Sequence, residues 1–163
     1  MASVFNPVSP RTLTVGLAAA AAAAAMVSCS SLPGGGDVKL AAYKARGGKL
    51  IFAHGLADPI FSPHEMVDYY ERMVAEHGAG TSDFARLFLI PGMGHCSGGA
   101  ATDSWDGLQA LVDWVEKGEA PKQILATGSA VFPGRTRPLC AYPAHAHCKG
   151  QGNVEDAASF ECR

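Results

Sequence analysis

Runs of lysine or arginine are missing from this 163-residue chain, and its formal net charge is only −2 at a sequence pI near 6.3. That balance excludes a nucleic-acid partner and any strong ionic steering of a substrate. No stretch repeats itself, which removes solenoids and propellers. Nor does any established zinc spacing connect the five cysteines and six histidines, so no metal and no other cofactor is expected. Patterned sequence is itself scarce. Roughly the first forty residues and the last thirty carry little core periodicity, and the remaining hundred or so suffice for a modest core only.

What is present begins with TLTVGLAAAAAAAAMVSC after Arg11, an apolar, alanine-rich run that follows a positive charge and ends in small residues. It reads as an export signal over residues 1–28. A membrane span is the alternative, but alanine partitions weakly into lipid and no charged stop-transfer flank follows. MVSC is similar to a lipobox, which makes Cys29 a lipidation candidate and a possible lipid anchor; the other reading is a cysteine that falls by chance near a cleavage site. Residues 29–47 then form a flexible tether and a short helix, and residues 48–163 the folded domain. Export implies an oxidising compartment. Cys96, Cys140, Cys148 and Cys162 are expected to pair there, and of the three connectivities the spacing selects none.

DVKLAAYKARG, residues 37–47, predicts a short helix closed by Gly47 and Gly48. KLIFAHG is nearly all apolar, as a strand buried on both faces must be. Ser62 then stands at an N-cap, with Pro63 at the first helical position and Glu65 in the capping-box place. Met66, Tyr69, Tyr70, Met73 and Val74 follow at helical spacing until Gly78. FARLFLIPG predicts a second buried strand. TDSWDGLQALVDWVEKGEAP predicts a second helix starting near Ser104, with Leu108, Leu111, Val112 and Val115 on one face and Trp114 beside them. Strand, helix, strand, helix is a right-handed crossover unit of a parallel sheet, although two strands are too few to stand alone. From Ile124 to Arg163 scattered Pro, Gly and Cys predict a tail pinned by disulfides.

Two residues then point to chemistry. Asp58 lies just past the first strand and His95, in PGMGHC, just past the second. Parallel strands bring their carboxyl ends to one edge, where Asp58 can accept the Nδ1 proton of His95 and orient the imidazole as a general base.

Acid before His is the second half of the α/β-hydrolase order of nucleophile, acid and His. HGLADPIFSP, DYYERM, RLFLIPGMGHCSGG, LVDWVEKGEAPKQILAT and GRTRPLCAYP…FECR together resemble the tannase and feruloyl esterase family of α/β hydrolases, over residues 37–163. The resemblance implies an α/β fold class, the C-terminal part of an α/β-hydrolase fold with parallel strands, crossover helices and a disulfide-pinned tail. It implies a carboxylic ester hydrolase acting on phenolic esters of gallate or ferulate, with Asp58 as triad acid and His95 as triad base. It also pairs Cys140 with Cys162. The family bonds the cysteine beside the His to one beside the nucleophilic Ser, so Cys96 has its usual partner missing, and is expected either free or joined to the extra Cys148.

The departure from the family is sharp. No G-x-S-x-G or G-C-S-x-G-G elbow occurs in the chain, which leaves no nucleophile, and the family's lid, with its calcium, has no counterpart. Ser97 in CSGG follows the His and so stands in the wrong place for attack. Ser62 and Ser104 read as helix caps. The expectation is therefore a truncated esterase, inactive alone. A non-catalytic exported lipoprotein or binding protein is the alternative, as is one half of a complemented esterase. Among other residues, His54 reads as pocket-lining or structural, and His64 and His77 as surface. Cys140, His145, His147 and Cys148 offer metal-ligand types without metal-ligand spacing.

Overall fold

The computed structural model describes the backbone of Ala24–Ser28 and residues 37–163. Its centre is a parallel sheet of β1 (Ala24–Ser28), β2 (Lys49–Gly55) and β3 (Ala85–Ile90), in that order. Ser28 stands opposite Ala53 and Gly55 opposite Ile90, so the three strands end along one edge. β1 falls inside the segment read as an export signal, and it occupies the β2 edge that a two-strand unit leaves open. The rest of that segment, and the lipidation candidate Cys29, lie outside the described residues.

Alternation along the strands divides the core in two. Leu50, Phe52, Ala85 and Leu87 face α2 (Pro63–His77), which presents Met66, Tyr69, Tyr70 and Met73. Ile51, Ala53, Phe88 and Ile90 face α3 (Gly107–Lys117) and the tail, through Leu111, Trp114, Ile124, Ala126 and Leu139. Burial on both faces is what the unbroken apolar strands require. Helix α2 starts as its sequence predicts, with the Ser62 hydroxyl accepting from His64 N and Pro63 at the first position. Val74 is 39 % exposed and so stands off the buried stripe. The helix within residues 37–47, α1, covers only Ala41–Ala45.

Several expectations need correction. Ser104 does not cap α3; it pairs in the short strand β4 (Ser104–Trp105), and Asp106 caps instead, its Oδ1 accepting from Gln109 N at 2.8 Å. With the helix starting there, Leu108 projects outward, 64 % exposed. The tail carries more order than its scattered turn residues suggest. β5 (Gln123–Thr127) pairs antiparallel with β4 and with β6 (Thr136–Cys140), while β7 (Ala146–Cys148) pairs with β8 (Phe160–Cys162). One bridge pins it, Cys140 to Cys162. Cys96 is disulfide-bonded and Cys148 is free and exposed. The Cys96–Cys148 bridge therefore does not form, and Cys96 is not short of a partner; the other half of its bond lies outside the described residues. Both expected outcomes for Cys96, a free thiol and a bond to Cys148, are thus corrected.

Candidate active site

Asp58 and His95 meet at the carboxyl edge of the sheet. His95 Nδ1 lies 2.9 Å from Asp58 Oδ2, with the carboxylate side chain 1 % exposed and the imidazole 31 %. Backbone approach makes the meeting possible. A side chain on Gly55 would collide with the carbonyl oxygens of Met93 and Gly94, so only glycine lets the end of β2 close onto the His95 loop. Ala57 N then donates to Met93 O at 3.0 Å, and Leu56 N to Ile90 O at 3.0 Å.

The Asp58 turn is self-bracing. Its Oδ1 accepts from Ile60 N at 2.8 Å and Phe61 N at 3.1 Å, an Asx-type turn that leaves Oδ2 for His95. Burial alone pushes the Asp58 carboxyl up, but the His95 hydrogen bond and the two amides outweigh it and hold it at about 2. A carboxylate ionised through the whole neutral range accepts and never donates. The shared proton therefore sits on His95 Nδ1, and Nε2 carries the lone pair. Nε2 has no protein partner among the described residues, and the ring leans on Phe61 at 5.3 Å between centroids. In chemical terms such an arrangement suits proton transfer at Nε2.

His54 belongs to this cluster rather than to a pocket wall. It is buried, with Nε2 3.2 Å from Phe61 O and 3.6 Å from Asp58 Oδ2, and its Nδ1 has no partner among the described residues. Ser97 is exposed and no hydrogen bond joins its hydroxyl to His95. His64 is exposed. His77, expected at the surface, is half-buried, bonded to Val38 O at 2.7 Å and packed on Phe84. The rings of His145 and His147 lie 4.2 Å apart, but among the described residues no three His, Cys, Asp or Glu side chains gather as metal ligands.

One positioning residue escaped the sequence reading. Asp103 Oδ2 accepts from Gly98 N at 2.9 Å while Oδ1 takes the Ser129 amide and hydroxyl, at 3.2 and 2.6 Å. It ties the far side of the His95 loop to the end of β5. The Ser129 hydroxyl and then the Gly98 amide hold its carboxyl below the usual range. A turn aspartate gives no sign in sequence of which distant amides it will bind.

The tannase and feruloyl esterase family model matches residues 4–163. The chain belongs to that family. It is 51 % identical over 133 residues to a mono(2-hydroxyethyl) terephthalate hydrolase of Piscinibacter sakaiensis, a match covering 79 % of this chain and 22 % of the relative. It is 36 % identical over 149 residues to feruloyl esterase B of Aspergillus niger, covering 77 % and 28 %. A crystal structure of an esterase from Aspergillus oryzae superposes with a TM-score of 0.67 at 34 % identity, covering 78 % of this chain and 29 % of the other. The family member described here thus has an α/β-hydrolase-type fold and spans about a quarter of the length of the relatives it matches.

Proposed function

We propose that this chain carries the acid–base part of a carboxylic ester hydrolase of the tannase and feruloyl esterase type, acting on phenolic esters. The supporting observation is the Asp58–His95 pair at 2.9 Å, with no partner for Nε2 of His95 among the described residues. His95 would accept the proton of an attacking hydroxyl and return it to the leaving alcohol, through an acyl-enzyme, while Asp58 steadies the imidazolium. The attacking serine comes from a Ser-bearing segment that the 163 residues do not supply in the family's elbow form, so the chain alone turns nothing over. Export to an oxidising compartment agrees with the Cys140–Cys162 bond.

A graft tests this reading. Residues 48–163 replace the matching part of the mono(2-hydroxyethyl) terephthalate hydrolase, and ester turnover is followed with and without His95→Ala. The free chain is expected to give no turnover above its His95→Ala control, and the graft to turn over and lose roughly 10⁶-fold in kcat with His95→Ala. A folded, active graft indifferent to His95 would overturn the proposal.

A further inference from the structure

The tail strands and the roots of the His95 loop line a cavity of about 250 Å³, walled by Pro91, Thr102, Phe132, Leu139 and Phe160 and touched by neither Asp58 nor His95. Sites for larger organic ligands run from about 300 to 1,000 Å³, so this volume suits a single ring. Two arginines reach it. The charge of Arg135 is already matched, because Nε and Nη2 grip both oxygens of Glu155, the second at 2.9 Å, and the guanidinium lies 3.8 Å over the Phe132 ring. Arg137 differs. It is half-buried, its guanidinium 4.3 Å over Phe160, and it donates to Thr136 O at 2.7 Å, with no carboxylate bonded to it among the described residues. Glu155 feels the Arg137 charge, but its oxygens are held by Arg135. The cavity therefore presents apolar and aromatic walls with one unmatched, planar, five-donor cation.

We propose that this cavity binds a single-ring aromatic carboxylate, with Arg137 gripping the carboxylate and Phe132 and Phe160 flanking the ring. A guanidinium fork fits a carboxylate through two parallel hydrogen bonds, and the ring replaces water on an apolar wall. The choice of ligand rests on the ester-hydrolase reading, since the acid released from a phenolic ester has this chemistry. Binding itself requires no turnover.

Calorimetric titration of the full chain with 4-hydroxybenzoate and with its methyl ester tests the proposal. The acid is expected to bind roughly tenfold or more tightly than the ester, and Arg137→Gln to remove that preference, because a charge-assisted pair is lost in both cases. His95→Ala is expected to leave the titration unchanged, so failure of the esterase reading and failure of this site are separately visible. Equal binding of acid and ester, no binding of either, or displacement of the acid by equimolar inorganic phosphate would each overturn the site. Should Arg137→Gln not fold, the acid–ester comparison on the unaltered chain decides alone.

Discussion

Replacing Asp58 by Asn keeps the shape of the turn and one acceptor for the Ile60 and Phe61 amides, while removing the charge that faces His95. The cost follows from the position of the carboxyl, lowered from 3.8 to about 2. At about 1.36 kcal/mol per pH unit this corresponds to about 2.4 kcal/mol of native-state preference for the ionised form. The site lies close under the surface, with His95 31 % exposed, so screening trims the figure to about 1–2 kcal/mol. The sign is fixed by linkage. A depressed carboxyl stabilises the fold above its unfolded value near 3.8, and that contribution is lost as pH falls through about 2. Urea unfolding of the wild-type chain and Asp58→Asn at several pH values measures it. The stability gap should be about 1–2 kcal/mol near neutral pH, hold to about pH 5, and shrink steadily toward pH 2. A gap of the same size at pH 2 and at neutral pH would refute the reasoning, because it would owe nothing to the charge.

Three further outcomes are expected. Replacing Cys140 and Cys162 together by Ser opens a loop closed over a separation of 22 residues and should cost about 3 kcal/mol in urea unfolding; a loss under about 1 kcal/mol would contradict the tail's dependence on that bridge. Gly92→Ala places a methyl at φ 74° against the Ala100 carbonyl, for an expected loss of about 2 kcal/mol or more, and an unchanged thermal midpoint would count against the close packing of the loop. Asp103→Ala leaves the amides of Gly98 and Ser129 without their acceptor, so hydrogen exchange at both should quicken and stability fall by about 1–2 kcal/mol. Unaltered exchange at Gly98 would remove Asp103 from the positioning of the His95 loop.

Legibility in the sequence followed the strength of local signals. β2, α2 and β3 were readable because unbroken apolar strands and an N-cap with Pro63 leave few alternatives, and Asp58 and His95 were readable because they stand just past consecutive strands that turn out parallel. The tail was not. β6 carries Pro138 and Arg137 and is held by pairing with β5, a partner 13 residues upstream of it in register at Leu125, so its order is tertiary rather than local. The start of α3 went astray because Ser104 and Asp106 both suit a cap, and which one serves depends on β4 pairing with β5. Asp103 binds Ser129 and Arg137 stacks on Phe160, both distant in sequence, which no local pattern announces.

The central claim is that Asp58 and His95 act as one acid–base unit. A double-mutant cycle in the graft, with Asp58→Asn, His95→Ala and both together, tests it most directly through kcat. Residues acting as a unit are strongly non-additive, so the double variant should lose no more than His95→Ala alone, about 10⁶-fold. Losses that multiply would show that the two contribute independently and would contradict the account.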